Sequence, residues 1–289
     1  MPVDREKAVG SSLGVREGGW DVDDVILYHL GIGAGVPATE ANELEYTYEK
    51  NLKVLPSFVV VAGGRRPSAA STTGFKIPGI EFNLTQLLHG EQDIEIHRPL
   101  PTSAETKTEG RVADVFDKGK AALVIMENET RDRDSGELLY TTRMSAFIRG
   151  EGGFGGPAGP KPGNEPPERE PDGVVETRTL PQQALLYRLN GDKNPLHADP
   201  EFAKMAGFDT PIIHGLCSYG IACKAIVDAV LGGDPTRVAR YQARFRGVAF
   251  PGETYLTSWW NEGDDIVLSV KSKERDAPII SNAAISVRS

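Results

Sequence analysis

Residues 181–195 read PQQALLYRLNGDKNP, and residues 22–35 read VDDVILYHLGIGAG. Both stretches place apolar residues at helical spacing and then reach glycine, so each predicts a short helix followed by a loop. Tyr28 aligns with Tyr187, and Leu30 aligns with Leu189. A pattern that returns in the same order in each half of a chain indicates an internal duplication.

The later part of each half is rich in strand signals. After Pro101 the β-rich runs are residues 106–116, 120–127 and 138–149, and after Pro251 they are residues 254–261, 265–273 and 278–288. Before these runs each half has an apolar segment, LPSFVVVAGG (55–64) and HGLCSYGIACKAIVDAVLGG (214–233). The second of these segments predicts a long helix that ends at glycine.

Segment 151–173 is rich in glycine, proline and glutamate, a composition that forms neither a packed helix nor a strand. We therefore predict one repeat over residues 1–150, a linker over 151–173 and a second repeat over 174–289. The order of elements predicts an α+β pseudo-dimer in which each antiparallel sheet wraps its own long central helix. An α/β fold with parallel strands would need helices that alternate with strands, and the last ~50 residues of each half predict strands only.

Charge and composition exclude several classes of protein. The 41 acidic and 32 basic residues give a net charge of -9, so the overall field does not attract nucleic acid. We expect no membrane span, because no apolar run approaches the ~20 residues that cross a bilayer. MPVDREKAVG lacks the apolar core of a secretory signal and SVRS is not a Ser-Lys-Leu type address, so we expect a cytoplasmic protein. Cys217 and Cys223 are expected to be free, buried thiols.

Three polar side chains, Asp192, Asn194 and His197, fall within six residues of a segment that Gly191 and Pro195 break. A carboxylate and an imidazole suit general acid-base chemistry when one water molecule fits between them. Asn194 could hold that water molecule or the carboxylate in position. Spacing alone leaves an alternative open, in which Asp192 caps a turn, Asn194 makes another turn and His197 starts a helix.

The run YRLNGDKNPLH (187–197), followed by IIHGLC (212–217), resembles the hydratase 2 motif of the MaoC-like dehydratase family. FPGE (250–253) resembles that family's second signature, and the duplicated halves resemble its two-domain hydratase 2 members. The resemblance implies a double hot dog fold, an acyl-CoA substrate and (R)-specific hydration of trans-2-enoyl-CoA to (R)-3-hydroxyacyl-CoA. It also implies that no metal or redox cofactor takes part. Asn190 stands where relatives often carry Ser or Thr, and we expect no effect on the chemistry.

The resemblance assigns Asp192 and His197 as the catalytic pair, Asn194 as a positioning residue and the Gly215 amide as an oxyanion donor. The residues agree with the last role, because a glycine at the start of the predicted long helix has an unpaired N–H at the positive end of the helix dipole. The alternative is that Gly215 only permits a turn. Further candidates for substrate binding are Tyr187, His214, Arg244 and Lys271, although a solvated strand face is the plainer interpretation of the last two.

The remaining histidines, His29, His89 and His97, are scattered singly, so we predict structural roles for them and no metal site. His89-Gly90 has the same two residues as His214-Gly215. The distance along the chain between these dipeptides differs from the distance between Tyr28 and Tyr187, so we do not treat them as equivalent positions of the two repeats. GIGAG (31–35) follows a helical pattern, which argues against a dinucleotide loop.

Other functions remain in view. The same site could work in reverse on an acyl carrier protein, as a 3-hydroxyacyl dehydratase. A hot dog thioesterase or acyl-CoA-binding protein would not need the polar set of residues 192–197. The alignment that pairs Tyr28 with Tyr187 also pairs Gly33, Gly35 and Ala38 with Asp192, Asn194 and His197. We therefore predict a catalytically silent first repeat. We expect space for an acyl tail there, near Gly33 and Val60, unless the glycines only end a helix. Homodimer formation stays open.

Overall fold

A computed structural model describes residues 3–62, 76–83 and 86–288 of the chain. In these residues ten antiparallel strands form one sheet in the order β1-β3-β4-β5-β2-β7-β10-β9-β8-β6. The five strands of each repeat follow the same order from the edge of the sheet to its centre. The strand that comes second along the chain in each repeat, β2 or β7, lies at the centre. The strands are β1 Ser12–Trp20, β2 Leu87–Ile96, β3 Ala104–Asp117, β4 Ala121–Asp132, β5 Leu138–Arg149, β6 Gly173–Arg178, β7 Val238–Phe245, β8 Thr254–Glu262, β9 Asp265–Ser272 and β10 Pro278–Val287.

The two halves meet where β2 pairs with β7, from Glu91 opposite Arg244 to Glu95 opposite Arg240. We call this junction the seam. The Arg240 guanidinium donates to both carboxylate oxygens of Asp93 across it, at 2.9 and 2.7 Å. Backbone hydrogen bonds and a bidentate ion pair therefore join the two repeats in one continuous sheet.

In the described part of the chain, six α-helices accompany the strands. They are α1 Arg5–Ala8, α2 Val22–Gly31, α3 Ala41–Thr47, α4 Gln183–Tyr187, α5 Pro200–Met205 and α6 Gly215–Val230. Short 3-10 helices span Pro56–Val60, Arg188–Asn190, Pro195–His197 and Pro235–Arg237. Asp21 and Asp24 form a reciprocal capping box that starts α2.

Helix α6 is the centre of the larger hydrophobic core. The Tyr219 ring stacks on Tyr241 of β7 with the centroids 4.0 Å apart, and the Tyr219 hydroxyl donates to the Tyr241 carbonyl at 2.7 Å. A Cβ atom at Gly220 would lie 2.5 Å from the Tyr28 hydroxyl, so only glycine allows α2 to pack this close to α6.

A buried ionic cluster ties α6 to the first repeat. The Lys224 ammonium lies 2.7 Å from the Glu43 carboxylate of α3 and 2.8 Å from Asp228 of its own helix. The Tyr46 hydroxyl donates to Asp228 at 2.7 Å. One lysine thus compensates two carboxylates and fixes how α6 sits against α3.

The prediction of a long central helix in each repeat is wrong for the described part of the first repeat. The alignment that pairs Tyr28 with Tyr187 also pairs Pro56 with Gly215, and at Pro56 the chain forms only a five-residue 3-10 helix. Phe58 packs edge-on against Trp20 and Tyr28, with ring centroids 5.6 Å apart in both pairs. Three consecutive valines, residues 59–61, are stiff β-branched residues that disfavour continuing a helix. Residues 63–75 lie outside the described residues.

Residues 151–172 of the predicted linker contain no helix or strand, and β6 begins at Gly173. The Asp117 carboxylate accepts the N–H groups of Gly153 and Gly155 at 2.9 and 2.8 Å. Farther along, the Asn164 amide donates to Gln242 of β7 at 3.3 Å. Since Gln242 follows the buried Tyr241 in the strand, this segment crosses the face of the sheet that points away from α6.

Candidate active site

The loop after α4 holds the predicted catalytic residues. One carboxylate oxygen of Asp192 accepts the Asn194 N–H at 3.0 Å, and the side-chain carbonyl of Asn194 accepts the Leu196 N–H at 3.0 Å. The second bond caps the 3-10 helix Pro195–His197. The turn-capping roles inferred as an alternative are therefore real, and the Asn194 carbonyl stabilises the loop backbone.

His197 is buried and only 8% exposed. Its Nδ1 atom lies 2.8 Å from the Ile212 carbonyl oxygen. Because a carbonyl only accepts, Nδ1 carries the proton and Nε2 keeps its lone pair. Burial lowers the pKa of His197 below its usual value, so the ring is a neutral base near pH 7.

His214 lies directly against His197. The two rings stack with centroids 3.7 Å apart and planes 27° apart. The Nε2 atom of His214 lies 3.3 Å from the Asp192 carbonyl oxygen and donates to it, while its Nδ1 atom is buried without a partner in the described structure. Burial and the neighbouring His197 lower the pKa of His214 to about 4. His214 thus supports both the Asp192 loop and the His197 ring.

We call Asp192, His197 and His214 the catalytic cluster, because they contain the predicted catalytic pair. One side-chain nitrogen or carboxylate oxygen from each lies within 4.8 Å of the others, and the Asp192 side chain is exposed. These atom types could also hold a metal ion. The same atoms can also hold a water molecule and exchange protons with it.

Gly215 is the first residue of α6, and its neighbour His214 provides no side-chain cap. Its N–H finds no acceptor among the described residues, and the residue is exposed. The Phe245 ring lies 3.3 Å from the position that a Cβ atom would occupy. The helix start therefore offers an open N–H donor beside the catalytic cluster, as the sequence predicts.

His89 approaches this site from the first repeat, across the seam. Its ring packs edge-on against Phe245 with the centroids 4.9 Å apart, and its Nε2 atom is buried without a partner in the described structure. Burial lowers the pKa of His89 to about 4, against smaller opposing effects of hydrogen bonding to Glu91 and Gln92 and, least, of the Asp192 carboxylate. The sequence prediction of a merely structural His89 missed this proximity. The repeated His-Gly dipeptide was the one feature of the sequence that could have indicated it.

The other predicted binding residues differ in position. Tyr187 is 1% exposed, and the centroid of its ring lies 4.9 Å from that of His214. It therefore packs against the buried side of the catalytic cluster. Arg244 is next to Phe245 in β7, and its guanidinium lies 3.6 Å from the Glu91 carboxylate across the seam. Lys271 pairs with Asp276 at 2.6 Å at the β9–β10 turn, and no described contact joins it to the cluster.

The first repeat carries no acid-base pair at the equivalent loop. Gly33 and Gly35 have φ angles of +91° and +86°, and the Gln183 amide lies 3.3 Å from where a Gly33 Cβ atom would be. Glycine is favoured at both positions, because the backbone is left-handed there and neighbouring side chains already pack against it. The prediction that Gly33 opens space for an acyl tail is therefore wrong at Gly33 itself, and both glycines lie just after the end of α2. Space for a tail would have to lie elsewhere in the first repeat.

No helix in the described ranges has the length and apolar character to cross a membrane.

Comparisons with known proteins cover both halves. The MFE-2 hydratase 2 N-terminal domain matches residues 19–150, and the MaoC like domain matches residues 163–283. Enoyl-CoA hydratase ChsH3 of Mycobacterium tuberculosis is 47% identical over 280 residues, 97% of each chain. Peroxisomal enoyl-CoA hydratase 2 of Arabidopsis thaliana is 44% identical over 272 residues, 89% of this chain and 87% of the relative.

Among solved structures, a MaoC-like dehydratase from Phytophthora capsici superposes with a TM-score of 0.87 at 32% identity and covers 98% of each chain. Both domain models match in order, and the relatives align over most of their length. This chain therefore belongs to the MaoC-like dehydratase family of hydro-lyases, in its two-domain enoyl-CoA hydratase 2 branch.

Proposed function

We propose that the protein adds water to trans-2-enoyl-CoA and forms (R)-3-hydroxyacyl-CoA. The observation that carries this proposal is the catalytic cluster beside the open Gly215 N–H. Two relatives that align over most of the chain are named as enoyl-CoA hydratases. The reaction is redox-neutral, so it needs no redox cofactor, and coenzyme A arrives as part of the substrate.

In the proposed mechanism a water molecule lies between the Asp192 carboxylate and the Nε2 atom of His197. The pair takes a proton as the water oxygen attacks C3, and it returns a proton to C2. The elements of one water molecule are thus added across the double bond, and the pair is regenerated. The Gly215 N–H donates to the thioester oxygen, where enolate charge develops, which is worth ~3 kcal/mol in comparable oxyanion holes. The reverse reaction, dehydration, passes through the same transition state.

The stereochemistry of the product tests this proposal. We expect the purified chain to consume crotonyl-CoA and to give a product that an (S)-specific 3-hydroxyacyl-CoA dehydrogenase does not oxidise. An (R)-specific dehydrogenase is the matched control and should produce NADH. A strong signal with the (S)-specific enzyme would reject the (R) assignment, and hydrolysis to free coenzyme A would indicate a thioesterase.

We also propose that the first repeat holds the acyl tail. Phe58, Val61 and Ala62 of LPSFVVVAGG line a small cavity of about 20 Å³ together with Trp20 and Asn190. This cavity admits only the beginning of a tail, so a long chain would have to displace its walls. Asn190 directly precedes the catalytic loop, so a tail that enters here would start close to the reacting carbons. Each further buried CH₂ group is worth ~0.8 kcal/mol.

The test of this tail site is the chain-length profile. We expect kcat/KM for C8 and C16 enoyl-CoA to match or exceed that for C4. Val61→Trp, at a residue that lines the small cavity, should reduce the long-chain values at least ~10-fold while sparing C4. Leu185→Trp, on exposed α4 surface, is the matched control. A steep fall from C4 to C16 in the unmodified protein would contradict the proposal.

A further inference from the structure

A second cavity lies between the two repeats, at the end of the seam opposite His89 and Phe245. Its volume is about 220 Å³. It is bounded by the chain before and at Pro56, the end of β2, the segment between α6 and β7, and Arg288. Its apolar walls are formed by Leu52, Val54, Pro56, Ile96, Leu100 and Pro235.

The internal duplication explains the position of this cavity. The shift of 159 residues that aligns Tyr28 with Tyr187 also aligns Pro56 with Gly215, the oxyanion donor of the catalytic site. The shift of 150 residues that aligns Pro101 with Pro251 aligns Ile96 with residue 246, which follows Phe245. The cavity therefore occupies the place where a symmetric pair of repeats would have its second site.

This second place has lost the groups that the proposed chemistry uses. Pro56 has no N–H to offer as an oxyanion donor. The loop equivalent to the catalytic one carries Gly33 and Ala38 in place of Asp192 and His197. A ligand in this cavity would be bound and left unchanged.

One side of the cavity is positively charged. The Arg288 guanidinium donates to the carbonyl oxygens of Thr236 and Ile96, and the described residues give it no carboxylate partner. Lys53 shares its charge with Glu45. The one carboxylate in the lining, Asp234, already accepts the Thr236 N–H at 2.9 Å and the Thr236 hydroxyl at 2.6 Å. Arg288 can therefore turn toward an anion without leaving a buried carboxylate unpaired.

We propose that this cavity is a relict second site that binds a medium-chain fatty acid anion. The alkyl tail lies against the apolar walls, and the carboxylate pairs with Arg288. The proposal does not depend on the hydratase reaction, because none of the lining residues belongs to the catalytic loop or to the start of α6.

Calorimetric titration of the full chain with octanoate tests the site. We expect saturable binding that octylammonium and acetate do not reproduce, since the first has the wrong charge and the second has no tail. Arg288→Met should weaken octanoate binding about tenfold, as loss of a charged hydrogen bond implies. Lys107→Met, which removes an exposed cation of β3, should leave it unchanged.

Two filling variants, Leu100→Trp and Leu52→Trp, should each abolish octanoate binding while hydratase activity is retained. Two are used so that a fold defect in one does not decide the outcome. Octanoate binding that survives both filling variants but is lost in Val61→Trp would place the ligand in the proposed tail site and overturn the relict site. Because these titrations need no turnover, they are informative even if the protein proves inactive as a hydratase.

Discussion

The protons on His197 and His214 are placed by the backbone carbonyls that each ring faces. The Ile212 carbonyl fixes the proton of His197 on Nδ1, and the Asp192 carbonyl fixes the proton of His214 on Nε2. Burial keeps both rings neutral. Asp192 supplies the one exposed charge of the catalytic cluster, and His197 supplies a neutral base beside it.

We predict that Asp192→Asn and His197→Gln each lower kcat at least ~100-fold, because a positioned acid-base group contributes 10²–10⁴ in rate. The measurement is steady-state kcat with an enoyl-CoA substrate, together with a thermal melt that shows an intact fold. Asp23→Asn on α2 and His97→Gln after β2 are matched controls on exposed surface and should keep full turnover. Near-normal turnover in either catalytic variant would remove that residue from the mechanism.

Single residues differ in how far the sequence could predict them. Asp192 and His197 stand in a motif with its own loop signals, and their local geometry follows from that loop. His89 lies more than a hundred residues away in the chain and reaches the site only because β2 pairs with β7. No local pattern encodes that pairing, so the contact with Phe245 could not be inferred from spacing.

Helix α6 carries Gly215 at one end, and the buried ionic cluster fixes it on the side of the first repeat. Lys224 is the cation between Glu43 and Asp228, and its side chain is 13% exposed. Removal of one member of a buried ion pair leaves an uncompensated charge, which costs more than the pair contributes when intact.

We predict that Lys224→Met lowers the free energy of unfolding by ~3 kcal/mol, since it leaves the Glu43 and Asp228 carboxylates without their cation. Chemical denaturation near neutral pH measures the change. Lys204→Met on the exposed face of α5 is the matched control and should change stability by less than ~0.5 kcal/mol. An equal effect of the two substitutions would mean that the cluster does not hold α6.

Strands with turn signals at both ends could be predicted, whereas those without them could not. β3, β4 and β5, and likewise β8, β9 and β10, lie within a few residues of the predicted runs. β1, β2, β6 and β7 were missed, because they pair with strands distant in sequence and no tight turn marks them. The first-repeat helix was overpredicted because apolar length alone does not distinguish a buried helix from a valine-rich segment packed on aromatic rings.

For the whole molecule, several buried histidines couple stability to pH. Burial lowers the pKa of His29, His89 and His214 from 6.5 to about 4. His29 is held neutral by two bonds, since it donates to the Tyr46 carbonyl at 2.7 Å and accepts the Leu55 N–H at 3.2 Å. Between pH 6.5 and about 4 the unfolded chain binds these protons and the folded chain does not.

We therefore predict that the free energy of unfolding is unaffected by these histidines above about pH 6.5 and falls as the pH drops toward 4. Each such group contributes a slope of up to ~1.4 kcal/mol per pH unit. Denaturation at a series of pH values measures the slope. His29→Gln should reduce the slope by up to ~1.4 kcal/mol per pH unit, and His97→Gln, at an exposed histidine, is the matched control. A slope that His29→Gln leaves unchanged would contradict this assignment.

The compartment and the association of chains stay predictions. Several relatives are named as peroxisomal, whereas our expectation for this chain is cytoplasmic, with homodimer formation open. A catalytically silent first repeat likewise stays a prediction. These properties depend on targeting, partners and turnover, which neither the fold nor the order of strands determines.

The seam also bears on how the protein can change over generations. In a pair of identical subunits every mutation occurs twice, so a residue that improves one site is imposed on its twin. Covalent fusion removes that constraint, because a residue of β2 such as His89 and the equivalent residue of β7 are encoded separately. One codon can therefore be selected for turnover and its partner for another purpose, and the two ends of a single sheet can diverge independently.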